Sequence, residues 1–133
     1  MDNHSCVKIL NEWDIVAARQ LGRNIARELH FGAVDQARIT TAISELARNI
    51  FIYAGQGEIR IEKVLQDGKK GLKVIATDKG PGIENIRKVM EDGYSTSGGL
   101  GAGLPGVRRL MDEFDIVSAS NEGTTVTAIK WIR

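Results

Sequence analysis

The spacing of apolar residues changes at Gly55, and that change limits the chain to folds in which helices cover a sheet. Before it, Ile15, Ala18, Leu21, Ile25 and Leu29 recur every three or four residues, and so do Ile39, Ala42, Ile43, Leu46, Ile50 and Tyr53. That is the period of a helix with one buried face. After it, Ile59 and Ile61 alternate with Glu58, Arg60 and Glu62, the period of a strand with one buried face. Neither kind of element can stay apolar on one side in water, so each has to bury that side against the other.

The boundaries follow from local signals. A strand is expected over 6–10 and a helix over 12–29, with Asn11 as its cap and Gly32 as its stop. Asp35 is placed to cap a second helix reaching about Tyr53. A charged, glycine-rich turn over 66–71 leads into a strand over 72–77. Then come a short helix around 86–90, a flexible glycine-rich segment over 93–103 and a helix from about Leu104. Pro105 suits the first turn of that helix, and Val107, Leu110, Met111 and Phe114 share its apolar face. Strands over 116–120 and 124–132 close the chain, with Asn121, Glu122 and Gly123 as their turn. No repeat or interdomain linker interrupts residues 1–133, so a single domain is expected. Its class is α+β, a two-layer sandwich with a mixed β-sheet covered by helices on one face.

Composition narrows the function. A formal net charge of +1, from scattered basic and acidic residues, disfavours a nucleic-acid face, which needs a concentrated basic patch. Cys6 is the sole cysteine, which rules out an internal disulfide and suits a reducing compartment. The N-terminus opens polar, and no apolar stretch reaches membrane-spanning length. The expectation is a soluble cytoplasmic protein with neither nucleic acid nor membrane as a partner.

Three groups of residues carry chemistry. At about 100° per residue, Arg38, Glu45 and Asn49 fall on one side of the second helix, beside its apolar arc. Glu45 offers a proton acceptor and Asn49 a neutral oxygen ligand for a hard cation. Spacing alone does not separate this pair from two solvated surface residues. Next, Asp78-Lys79-Gly80-Pro81-Gly82 directly follows an apolar strand. A carboxylate there can accept a hydrogen bond from an exocyclic amine while the glycines let backbone approach a flat ligand, although the same residues make an ordinary turn. Last, Gly98-Gly99-Leu100-Gly101-Ala102-Gly103 feeds the helix at Leu104. Exposed backbone N–H groups beside a helix start suit phosphate.

Other nucleotide signatures are absent or misleading. Gly101-x-Gly103-x-x-Gly106 matches the dinucleotide fingerprint, but no strand precedes it and 27 residues follow Gly106, too few for that fold. There is no GxxxxGK[S/T] loop, and the elements of eukaryotic-type kinases are missing.

In this order, the three groups resemble the Bergerat, or GHKL, superfamily of ATPases and kinases. Glu45-x-x-x-Asn49 is similar to its N-box, Asp78-x-Gly80-x-Gly82 to its first glycine box, Gly101-x-Gly103 to its second, and Gly123-Thr124 to its closing strand motif. The resemblance implies ATP and Mg²⁺ as cofactors. It makes Glu45 the general base, Asn49 the Mg²⁺ ligand and Asp78 the reader of the adenine amino group, supported by Thr124. Gly80, Gly82, Gly98, Gly101 and Gly103 would complete the nucleotide site.

Within the superfamily, a sensor histidine kinase is disfavoured. Ile52 stands where such kinases carry a Lys, there is no room for a phosphoacceptor hairpin, and His4 and His30 lie in incidental places. The chain resembles the stand-alone serine/threonine kinases of the anti-sigma-factor kinase group. The matching stretches are 12–19, 43–49 and 95–107. That resemblance implies STAS-domain stressosome proteins as substrates and a PP2C-type phosphatase as the partner activated on release. No Lys or Arg falls between Lys88 and Arg108, where several relatives place a basic residue, so Mg²⁺ and backbone N–H groups would meet the phosphoryl charge, with Arg38 or Arg108 as possible helpers. Two alternatives stay open: a nucleotide-gated binding module, and an anti-sigma factor that sequesters its partner.

Overall fold

In the computed structural model, which describes residues 4–82, 90, 103–119 and 121–133, eight regular elements follow one another. They are β1 (His4–Ile9), α1 (Trp13–Glu28), α2 (Ala33–Asn49), β2 (Gly57–Gln66), β3 (Lys69–Asp78), α3 (Gly103–Leu110), β4 (Glu113–Ala119) and β5 (Gly123–Trp131). A π-helical turn, Ile50–Ala54, continues α2. The helix expected around 86–90 lies outside the described residues except for Met90, and so does the glycine-rich segment 93–102.

The strands form one sheet in the order β1-β2-β3-β5-β4. All four pairings are antiparallel, which corrects the expected mixed sheet. Connection length explains the correction. A single crossover helix would return the chain parallel, but α1 and α2 go out and back, so β2 starts at the end where β1 stopped. Tight hairpins then reverse β2 into β3 and β4 into β5.

Register fixes which residues face the helices. Val7, Ile59, Ala76, Val126 and Ile116 form one row across the sheet, and Ile61, Val74, Ala128 and Phe114 form the next. Against them pack Ala18, Ile25 and Ala26 of α1, Ile39, Ala42, Ile43 and Leu46 of α2, and Leu104 and Val107 of α3, all buried. Helices α1 and α2 approach so closely at Gly22 that any side chain there would run into Ile43. The layers are those of the expected sandwich, with helices on one side.

Several boundaries shift for local reasons. Helix α1 ends before Gly32, because His30 takes the left-handed conformation (φ 67°). The Phe31 N–H then reaches Ala26 O and the His30 N–H reaches Arg27 O, a Schellman closure. Gly32 instead stands at the N-terminus of α2, and Asp35 lies within the first turn rather than capping it. Asn11 acts two residues before the start of α1, outside the Glu12 cap position, where its Oδ1 accepts the Trp13 N–H at 2.9 Å. The 66–71 turn contracts to Asp67-Gly68, both at positive φ, so β2 and β3 extend towards each other. Phe114 belongs to β4 rather than to the last helix.

Candidate active site

The row at one end of the sheet is Ile9, Gly57, Asp78, Thr124 and Ser118, directly opposite one another on β1, β2, β3, β5 and β4. It lies on the helix-facing side, so the carboxylate of Asp78 and the hydroxyl of Thr124 sit together where the helical layer ends. Sequence reading placed Asp78 and Thr124 in one site, and strand register brings them side by side.

Beyond Asp78 the chain turns sharply. Asp78 Oδ1 accepts the Gly80 N–H at 2.9 Å. Among the described residues, no hydrogen bond occupies its other carboxylate oxygen. A Cβ on Gly80 would stand 2.6 Å from the Cβ of Ala54 in the π-helical turn. Gly82 has φ 78°, and a Cβ there would strike the Ala119 carbonyl. The Asn121 N–H donates to Pro81 O at 2.6 Å, tying this loop to the β4–β5 turn. Both expected loop glycines are therefore required by close packing, Gly80 against Ala54 and Gly82 against the Ala119 backbone.

The end of α2 closes on the same place. A Cβ on Gly57 would lie 2.7 Å from Cγ2 of Ile50 and 3.1 Å from Cβ of Asp78. Ile50 follows Asn49, so the π-helical turn delivers the Asn49 end of the helix to the Asp78 row. Glu45 sits one turn earlier and is 1% exposed. Its Oε1 accepts from Arg48 Nη1 at 3.2 Å, and a buried carboxylate needs such compensation. Asn49 is half-buried. Arg38, expected on the same side, pairs with Asp35 at 3.0 Å in the first turn of α2, away from the site.

Thr124 has a partner that sequence reading missed. Ser118 Oγ donates to Gly123 O at 2.9 Å and lies 2.8 Å from Thr124 Oγ1. With its single proton on Gly123 O, Ser118 accepts from Thr124, which leaves the Thr124 oxygen as an acceptor. Gly57 was missed too, while Gly123, expected as part of the closing strand motif, also has a steric role: a side chain there (φ 82°) would strike Asp78 O. The alternation of β4 could have flagged Ser118 as inward-facing. Gly103 opens α3, buried and at φ 69°, while Gly98 and Gly101 lie outside the described residues.

The donor set fits a nucleotide better than a protein-held metal. Asp78 and Thr124 offer two acceptors to an amino group that has two protons. Among the described residues no group of three metal-ligating side chains exists. Asn49 could contribute one oxygen to a Mg²⁺ that takes its other ligands from phosphate and water.

Comparison with known proteins gives the class. Residues 10–130 match the histidine kinase-like ATPase domain, and the chain belongs to that family. It is 73% identical over all 133 residues, the whole of both chains, to the serine/threonine-protein kinase RsbT of Bacillus subtilis. That likeness makes it an RsbT-like serine/threonine protein kinase that uses ATP. It is also 32% identical to an anti-sigma F factor of Caldanaerobacter subterraneus, over 86% of this chain and 83% of that one. Among solved structures it resembles the RsbU and RsbW domains of Rv1364c from Mycobacterium tuberculosis (TM-score 0.61, 22% identity), covering 96% of this chain and 31% of that one. The mycobacterial sensor histidine kinase MprB shares the fold at TM-score 0.57 and 16% identity over 98% of both chains.

Proposed function

We propose that this kinase transfers the γ-phosphoryl group of ATP·Mg²⁺ to a serine or threonine of STAS-domain stressosome proteins and, once released, activates a PP2C-type phosphatase in the cytoplasm. The observation that carries the site assignment is the packing of the Asn49 end of α2 onto the Gly57–Asp78–Thr124 row. Nucleotide recognition and phosphoryl chemistry thereby share one edge of the fold. Among the described residues no helix is long and apolar enough to cross a membrane.

In this reading Asp78 and Thr124 take the two protons of the adenine amino group, and Gly80 and Gly82 let the loop lie against the base. Asn49 would hold Mg²⁺, and the glycine motif of Gly98, Gly101 and Gly103 would supply backbone N–H groups to phosphate. Bound ATP·Mg²⁺ supplies the electrophilic phosphorus. Glu45 accepts the proton of the attacking hydroxyl at a carboxylate oxygen. The same site can also act as a gate that selects partners by nucleotide state, a reading favoured by the likeness to anti-sigma F factors.

Incubation with labelled ATP, Mg²⁺ and a STAS-domain protein tests the first reading. Label on serine or threonine of the STAS protein is the expected result. Nucleotide-dependent complex formation without label would replace the kinase–STAS reading with the gate.

A further inference from the structure

Lys130 is a cation where the pattern of its strand calls for an apolar residue. It follows Val126 and Ala128 on the helix-facing side of β5, opposite Leu72, and its side chain is 7% exposed. An ammonium in such a place is costly unless its protons are taken up. Lys130 Nζ donates to Leu110 O at 3.0 Å. Asp112 Oδ1 lies 3.5 Å from it and Asp35 Oδ1 3.8 Å.

Those three partners mark the ends of two helices. Leu110 is the last residue of α3, and its carbonyl has no partner within the helix. A cation there also meets the negative end of the helix dipole. Asp35 lies in the first turn of α2, the helix that carries Glu45 and Asn49 further along. Both helices are therefore held at the end away from the Asp78 row by one ammonium. Helix α3 has eight residues, about 12 Å in length, so fixing its last carbonyl fixes the axial position of its start at Gly103.

We infer that Lys130 is a positioning residue for phosphate binding, acting through α3 by holding the helix at its C-terminal carbonyl. The inference rests on the reading of the start of α3 as the phosphate side of the nucleotide site. Asp112 and Asp35 neutralise the ammonium, and the bond to Leu110 O sets the helix.

Calorimetric titration of ATP and adenosine into wild type, Lys130→Met and Lys130→Met/Asp112→Asn, alongside thermal unfolding, tests this. ATP affinity should fall about tenfold or more in both variants, a loss of at least about 1.4 kcal/mol, while adenosine affinity stays within about twofold. Thermal stability should drop in the single variant and recover in the double, where Asp112 no longer carries a charge facing the lost ammonium and Asp35 keeps its pair with Arg38. Persistence of the ATP defect after stability recovers separates positioning from simple stabilisation. ATP affinity that recovers with stability, or an equal loss for adenosine, would overturn the inference. If Lys130→Met does not fold, Lys130→Arg keeps the charge but changes the reach to Leu110 O; it should show a smaller but still phosphate-selective loss, and an unchanged ATP affinity would again overturn it. A wild type that binds ATP no better than adenosine would instead remove the phosphate reading of α3, and the inference with it.

Discussion

Asp78 serves two neighbours with one carboxylate. Oδ1 holds the turn through the Gly80 N–H, which leaves the other oxygen to meet a ligand. In Asp78→Asn the turn can keep its acceptor, but the side chain would present either a neutral oxygen or an NH₂ to the adenine amine. Loss of a charge-assisted hydrogen bond costs about 1.5–3 kcal/mol, so ATP affinity should fall roughly 10- to 150-fold by calorimetry. Wild-type affinity in the folded variant would show that Asp78 does not read the base. Glu45 and Asn49 are one helical turn apart and should fail differently. Glu45→Gln should retain ATP yet lose transfer by about 10²- to 10⁴-fold, the usual contribution of a general base. Asn49→Ala should lose Mg²⁺-dependent nucleotide retention along with transfer. Near-normal transfer by Glu45→Gln would remove it from the chemistry and strengthen the gate reading.

Among the elements, α1 ends on a residue poorly suited to its backbone. His30 adopts φ 67°, where a side chain clashes with the following carbonyl and glycine does not. It closes the Schellman motif, a position usually occupied by glycine, and its side chain is exposed. His30→Gly should therefore raise stability by about 0.5–1 kcal/mol after glycine's entropy loss is set against the relieved strain. Urea denaturation at constant m-value checks this, and an unchanged or lower midpoint would mean the His30 side chain contributes something that its exposure hides. The same element shows where sequence reading stopped. Periodicity located α1 and α2 because each buries one face, but Gly32 looked like the terminator, since the left-handed residue is a histidine. The Asp67-Gly68 hairpin was legible as a dipeptide signal but was diluted by the flanking charges. Asp78 and Thr124 were recognisable from motif order, whereas Ser118 reads as one more polar strand residue until register sets it beside Thr124. Lys130 was hidden similarly, because a lysine in an alternating strand is ordinarily assigned to solvent.

Across the whole molecule, the site end of the helical layer rests on glycine contacts and the opposite end on charge. At that charged end Asp112 accepts the Trp131 N–H at 2.8 Å, faces Lys130 and pairs with Arg133. Burial pushes its carboxyl up, but the Trp131 N–H, the Lys130 ammonium and the Arg133 guanidinium outweigh burial and hold it below the ordinary value of 3.8. The sign follows from linkage. Near and below pH 3.8 the unfolded chain binds this proton more readily than the folded one, so the stabilisation is complete well above that value. It is lost as pH falls through the lower folded-state value. Asp112→Asn removes the titration while leaving a similar shape. The variant should be less stable than wild type at pH 7, and the gap should narrow as the pH drops from about 5 to below 3.8. Chemical denaturation of both proteins at pH 7, 4 and 3 measures that gap. A gap of constant size would mean that Asp112 stabilises the Lys130 end of the fold through shape and hydrogen bonding, with its charge contributing nothing.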